Sequence, residues 1–233
     1  MNVRVLIPAA GAGRRMGAGT NKQYMELADR PILARTVEAF EQHPLIDSII
    51  IIVPPAEIPY CKEEIVARGN FCKVTAVVAG GAERQDSVHC GLLACGADDD
   101  DLILIHDGAR PLVSREIIDR VIESLQQHGA CLTAVPVKDT IKVVQDCSVT
   151  VTPDRATLWQ AQTPQGFRYD LIRAAHDRAS RLGLQGTDDA QLAELAGHKV
   201  RVVQGDYRNL KITTPDDLSV AERLLAGGKK AAV

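Results

Sequence analysis

The sequence predicts an α/β protein with a mostly parallel central sheet, helices on both faces and an inserted β-arm. Three observations carry this expectation. Short runs rich in Val and Ile alternate along the chain with segments of helical period, the pattern of a parallel sheet wrapped by helices. Most of those runs are apolar at successive positions, as strands covered on both faces must be. One stretch, residues 138–152, breaks the alternation with β-branched residues on either side of a polar turn. With 233 residues, 45% of them apolar, the chain can build a sizeable core, and it reads as a single domain, 1–233, carrying an arm at 137–158.

In order along the chain, predicted strands cover Val3–Pro8, Ser48–Val53, Lys73–Val78, Leu102–His106, Cys131–Val135 and Lys199–Val203. Predicted helices cover Pro31–Gln42, Ile58–Arg68, Arg84–Cys95, Arg115–His128, Tyr169–Arg181, Asp188–Ala196 and Pro215–Leu225. The last helix has the clearest start: Thr214 offers an N-cap hydroxyl, Pro215 suits the first helical position, and Asp216 and Asp217 sit at the positive end of the dipole. Ser114 and Thr187 are expected to open their helices in the same way. Leu218, Ala221, Leu224 and Leu225 then recur as one buried stripe, and Gly227-Gly228-Lys229-Lys230 reads as a frayed tail. In the arm, Thr140, Ile141, Val143 and Val144 precede the turn Gln145-Asp146-Cys147-Ser148, and Val149 and Val151 follow it. A two-stranded ribbon alone is marginal in water, so the arm is expected to pack on something, and a partner subunit suits it.

Composition removes several classes of function. Lys and Arg number 27 against 30 Asp and Glu, a formal charge of −3, and only eight residues are aromatic, so no nucleic-acid partner is expected. No apolar run approaches the roughly 20 residues of a membrane helix. The N-terminus leads directly into Val3-Arg4-Val5-Leu6-Ile7 without the pattern of a secretory signal, so a cytoplasmic location is expected. The six cysteines, at 61, 72, 90, 95, 131 and 147, lack zinc-type spacing and read as reduced, buried small hydrophobes. Asp98-Asp99-Asp100-Asp101 precedes a strand and reads as a solvated loop.

The most informative segment is Pro8-Ala9-Ala10-Gly11-Ala12-Gly13-Arg14-Arg15-Met16-Gly17, directly after the first strand. Small residues let backbone N–H groups approach a phosphate, and two arginines and Lys22 add charge that an ordinary turn does not need. In an open α/β sheet, ligands bind at the carboxyl ends of the strands. A dinucleotide fingerprint would have its third glycine at Met16 and an acid ending the second strand, which instead ends Val53-Pro54-Pro55. A Walker loop is also excluded, because no Gly-Lys-Ser/Thr follows. Asp107 lies just past another strand and is suited to Mg²⁺, which takes one or two carboxylates and fills its other positions with phosphate oxygens and water.

The opening strand-Pro-Ala-Ala-Gly-x-Gly, followed by Asn21-Lys22-Gln23-Tyr24, resembles the nucleotidyltransferases that activate sugar and polyol phosphates. More narrowly it resembles the 2-C-methyl-D-erythritol 4-phosphate cytidylyltransferase family of the non-mevalonate isoprenoid pathway. Further matches follow in order: Gly80-Gly81-Ala82-Glu83-Arg84-Gln85-Asp86-Ser87-Val88, His106-Asp107-Gly108-Ala109-Arg110-Pro111, Pro136 to Lys142, Asp154-Arg155 with Leu158-Trp159, Thr163-Pro164-Gln165, Thr187-Asp188-Asp189 and Asn209-Leu210-Lys211-Ile212-Thr213. They span nearly the whole chain, with Asn21 standing where the family usually has proline.

The resemblance implies a Rossmann-like nucleotidyltransferase fold and an enzyme that joins CTP to a polyol phosphate. It implies that Ala9, Ala10, Gly11, Ala12 and Gly13 hold the triphosphate, that Arg15 and Lys22 stabilise charge at the α-phosphate, and that Gly80, Gly81, Ala82 and Ser87 meet the cytosine. Asp107 would hold Mg²⁺ or another divalent cation, with Gly108 beside it in the substrate site. Thr140, Arg155 and Lys211 would hold the acceptor phosphate, the first two reaching a homodimer partner's site through the arm. His106 is read as structural, since a phosphate nucleophile is already ionised at neutral pH. The chain ends soon after Leu225, so no fused cyclodiphosphate synthase domain is expected. The alternatives are a ribitol 5-phosphate cytidylyltransferase and, more remotely, an NAD(P)-binding oxidoreductase.

Overall fold

The computed structural model describes residues 1–11 and 22–228. β1 (Val3–Pro8) is followed by a 3-10 turn at Lys22–Tyr24, the ribbon β2 (Glu26–Leu27) and β3 (Arg30–Pro31), and α1 (Ile32–Glu41). Next come β4 (Ser48–Val53), α2 (Ile58–Tyr60), β5 (Val74–Ala79), α3 (Arg84–Ala94), β6 (Leu102–Ile105), α4 (Arg115–His128) and β7 (Ala130–Pro136). The hairpin β8 (Val143–Gln145) and β9 (Ser148–Val151) leads to β10 (Trp159–Arg168), α5 (Tyr169–Leu182), α6 (Asp189–Leu195), β11 (Arg201–Gln204) and α7 (Pro215–Gly228).

Seven strands form one sheet in the order β11-β7-β10-β6-β1-β4-β5. All neighbours are parallel except β10, which runs antiparallel to both β6 and β7. Period-two alternation divides each central strand between two apolar layers. On β4, Ile49, Ile51 and Val53 meet Leu33, Val37 and Phe40 of α1, in a layer that also takes Ile117, Val121 and Leu125 of α4. Ile50 and Ile52 face the other way, toward Val88 and Leu92 of α3, in a layer completed by Ile172 of α5 and Ala193 of α6. Burial of each such Ile, Leu or Phe is worth roughly 1.5–3 kcal/mol. From β1 the chain adds β4 and β5 on one side and then returns to add β6 on the other, so β1 lies at the topological switch point. The crevice this opens at the carboxyl ends of β1 and β6 is where an open α/β sheet binds ligands.

Several expectations need correction. Strand β10 was not predicted: Gln160, Gln162, Gln165, Pro164 and Gly166 give it neither alternation nor a β-branched run. The segment Ile58–Arg68 starts as an α-helix at Ile58–Tyr60, winds as a π-helix over Cys61–Ala67 and is α-helical again at Arg68, a distinction the apolar spacing of Cys61 and Ile65 does not carry. Asp101 is no solvated residue. It is 1% exposed, pairs with Arg4 at 2.9 Å and accepts the Asn2 N–H, because it closes the start of β6 against the start of β1. Asp188, not Thr187, caps α6 by accepting the Gln191 N–H, and Ser114 makes no side-chain cap bond. Cys72 and Cys147 are exposed, in the loop before β5 and at the arm's turn, while Cys61, Cys95 and Cys131 are buried. Gly227 and Gly228 lie within α7 rather than in a tail, and Lys229 and Lys230 fall outside the described residues.

Candidate functional site

Three strand ends meet around one cavity of about 420 Å³. Ala9, Ala10 and Gly11 come from the end of β1, Gly81 and Ala82 from the loop after β5, and Asp107 and Gly108 from the end of β6. Lys22 enters from the 3-10 turn and Lys211 from the strap between β11 and α7. The size falls in the range of small-molecule sites. Arg15, Ala12 and Gly13 lie outside the described residues.

Two glycines allow the close packing around this cavity. A Cβ on Gly108 would stand 3.0 Å from the Ala9 Cβ and 3.2 Å from Leu33, so glycine lets the β6 loop sit against the end of β1 without pushing either side chain aside. A Cβ on Gly80 would stand 2.7 Å from the Ser87 hydroxyl, in the turn that brings Gly81 to the cavity. Ser87 is 1% exposed, and its hydroxyl accepts the Gly81 N–H and donates to the Glu83 carbonyl. A capping box between Glu83 and Asp86 fixes the same turn to the start of α3.

Asp107 is the electrostatic centre of the site. Its carboxylate meets Lys211 Nζ at 2.9 Å, Arg84 Nε at 3.2 Å and Arg110 Nε at 3.5 Å. Burial by itself would push this carboxyl up, but Arg84, Lys211 and Arg110 outweigh it and hold the group well below the usual carboxylate range. The residue is therefore ionised wherever an enzyme works.

The backbone of Asp107 is set by a chain of bonds. Its N–H donates to the Thr163 hydroxyl at 3.1 Å, that hydroxyl lies 3.1 Å from His106 Nδ1, and His106 Nε2 donates to the Arg110 carbonyl at 3.0 Å. With the Thr163 hydroxyl donating to Nδ1, these partners fit a neutral Nε2–H imidazole. Burial lowers its pKa to about 4, which suits the structural role expected for His106.

The lysines are held with equal care. Lys22 Nζ donates to the Ile212 carbonyl at 3.3 Å. The neighbouring Gln23 is 2% exposed, and its amide donates to the Ala9 carbonyl at 2.7 Å and to Glu57, tying the lysine's turn to the loop after β1. Lys211 is placed by its flanks. Asn209 donates to the Thr163 carbonyl at 2.8 Å, and Ile212, fully buried with Leu27 and Ile32, donates its N–H to the Ala109 carbonyl.

Thr140 and Arg155 are not brought to this cavity within one chain. They lie on the arm, where Arg155 donates to the Lys138 carbonyl and Val143, Val144, Val149 and Val151 are all exposed. Gln23, Thr163, Arg84 and Asn209 escaped sequence reasoning as functional residues. All four do fall within the motif segments, the one signal that could have found them. Among the described residues no group of three or more His, Cys, Asp or Glu side chains is placed to hold a metal unaided.

Comparison with known proteins finds one family along nearly the whole chain. The profile of the family described as 2-C-methyl-D-erythritol 4-phosphate cytidylyltransferase matches residues 3–227. Relatives of that name from Syntrophotalea carbinolica and Geobacter metallireducens are each 55% identical, over 97% of this chain and 97% and 98% of theirs. Among solved structures, 4-diphosphocytidyl-2C-methyl-D-erythritol synthase from Anaerococcus prevotii superposes with a TM-score of 0.84 at 33% identity, covering 97% of this chain and 96% of that one. The cytidylyltransferase from Thermus thermophilus gives 0.80 at 36%, covering 97% and 100%.

Proposed function

The chain belongs to the 2-C-methyl-D-erythritol 4-phosphate cytidylyltransferase family, and from that premise we propose how its own residues run the reaction. The enzyme transfers the cytidylyl group of CTP to 2-C-methyl-D-erythritol 4-phosphate, giving 4-diphosphocytidyl-2-C-methyl-D-erythritol and pyrophosphate in isoprenoid precursor biosynthesis. An oxygen of the acceptor phosphate attacks the α-phosphorus of CTP. The bond from that phosphorus to the bridging oxygen breaks, and pyrophosphate leaves with the electron pair. The nucleophile needs no base, so the protein's work is alignment and charge neutralisation.

One observation carries the assignment of roles: a small-residue loop, Lys22, Lys211 and the buried, ionised Asp107 carboxylate converge on one cavity. Ala9, Ala10 and Gly11, continuing into Ala12 and Gly13, offer backbone N–H groups to the triphosphate. Lys22, with Arg15, neutralises charge at the α-phosphate. Gly81, Ala82 and the Ser87-braced turn read the cytosine, and a turn this close to β1 leaves little room for a purine. Lys211 takes the acceptor phosphate, with Thr140 and Arg155 of a second subunit.

Asp107 fits a divalent cation: it is ionised, lines the cavity, and supplies the one carboxylate that Mg²⁺ needs when phosphates fill its other positions. When bound, the cation offsets phosphate charge. The arm pairs two copies into a homodimer, since a two-stranded ribbon exposing Val143, Val144, Val149 and Val151 needs a partner surface. No helix among the described residues is long and apolar enough to cross a membrane, and the charged, water-soluble substrates suit a cytoplasmic enzyme.

Pyrophosphate release tests the reading, with CTP, ATP, GTP or UTP as donor and methylerythritol phosphate or ribitol 5-phosphate as acceptor. Release with CTP and methylerythritol phosphate is expected. Release with ribitol phosphate alone would move the enzyme to a different polyol, and silence with both would overturn the assignment.

A further inference from the structure

Arg84 opens α3 at the wall of the cavity, and two carboxylates share its guanidinium. Nε lies 3.2 Å from Asp107, and Nη2 lies 2.8 Å from Asp189. Asp189 is 1% exposed, and its other oxygen lies 3.2 Å from Nε2 of His176, which is also 1% exposed. A carboxylate buried this deeply stays ionised only when its partners are in place. Its backbone is fixed too: Gln165 of β10 donates to Asp188 at 2.8 Å and accepts the Ala190 N–H at 3.0 Å, which docks the start of α6 on the sheet. Neither Asp189 nor His176 lines the cavity, so neither touches a nucleotide held there.

An incoming triphosphate competes with Asp107 for every cation around it. Lys211 presents a point charge that can turn from Asp107 to a phosphate oxygen. Arg84 is planar and is also tied to a second carboxylate that substrate cannot reach. We infer that Asp189, seated on His176, is a positioning residue for cytidylyl transfer: it pins Arg84 against Asp107, so that this carboxylate keeps one orientation while Lys211 changes partner. The inference rests on the reaction proposed above.

The test is a double-mutant cycle read by steady-state kinetics with CTP and methylerythritol phosphate, using wild type, Asp189→Asn, Arg84→Gln and the double variant, with thermal unfolding of each. Wild-type turnover tests the reaction by itself, so its failure is distinguishable from failure of the inference. In a folded protein, Asp189→Asn is expected to lower kcat tenfold to about a hundredfold through misplacement of the reacting groups. The KM for CTP should move by less than about threefold, and in the Arg84→Gln background the same change should alter kcat by less than about twofold, because both substitutions cut one link. Equal losses in both backgrounds, or wild-type kcat in folded Asp189→Asn, would overturn the inference. If Asp189→Asn does not fold, Arg84→Lys decides, since lysine keeps the charge but cannot span two carboxylates. A kcat as low as that of Arg84→Gln supports the pin, and a kcat near wild type overturns it.

Discussion

At Asp107, burial and charge act in opposite directions, and three cations within 3.5 Å decide the outcome in favour of the ionised form. At His106, one residue earlier, burial outweighs the Arg110 carbonyl and the Asp107 charge, and the group goes the other way, to a pKa of about 4. The folded protein refuses a proton there that the unfolded chain accepts below 6.5, so this residue withdraws stability as pH falls from 6.5 toward about 4 and has no effect above that window. Histidine NMR at pH 5.5 should therefore show a neutral Nε2–H ring at His106, and an imidazolium there would contradict the assignment. Thr163→Val removes the acceptor of the buried Asp107 N–H and should cost about 1–3 kcal/mol in a denaturant titration; an unchanged unfolding free energy would show that this bond does not hold the loop. Lys22→Ala should lower kcat by about a hundredfold or more, as loss of a charge-stabilising donor does, and near-normal turnover would remove Lys22 from the mechanism. Lys22 and Asp107 were legible in the sequence because charge beside a small-residue loop or just past a strand end signals phosphate chemistry, whereas Lys211 was reached only through the family resemblance. Gln23, Thr163, Arg84 and Asn209 were not, because each works through a partner that only folding brings near, as when Asn209 reaches the Thr163 carbonyl.

Among the strands of the seven-stranded sheet, β10 was the one hidden in the sequence. Its pairing with β7 shifts register between Ala161 and Gln165, and the bulge turns Gln162 and Thr163 out of the ladder. Thr163 then holds Asp107 while Gln162 and the Thr163 carbonyl hold Asn209, so the polar residues that disguise the strand are those that build the site. The β8–β9 hairpin, by contrast, shows plainly in its β-branched residues and its turn, where Asp146 and Cys147 both adopt positive φ. If this arm presents Arg155 to a second subunit, mixing Lys22→Ala with Arg155→Ala protomers should rebuild one working site in each heterodimer. Verified heterodimers with no recovered activity would confine Arg155 to its own chain.

For the whole molecule, the alternation of apolar runs and helical segments was enough to predict a sheet covered on both faces with its ligands at the carboxyl ends of the strands, and the strand order then puts the switch point at β1. Once that crevice exists, the residues after β1, β5 and β6 must face one another, and distant motifs become one cavity. What the pattern could not supply was the antiparallel β10 inside the sheet, whose side chains decide how the strand ends are held. The central claim is that this cavity directs an acceptor phosphate oxygen at the α-phosphorus of CTP. Turnover of methylerythritol phosphate labelled with ¹⁸O in its phosphate, followed by ³¹P NMR and mass spectrometry, tests it directly. Attack at the α-phosphorus puts all the label in the diphosphate of the product and none in pyrophosphate, whereas labelled pyrophosphate would contradict it.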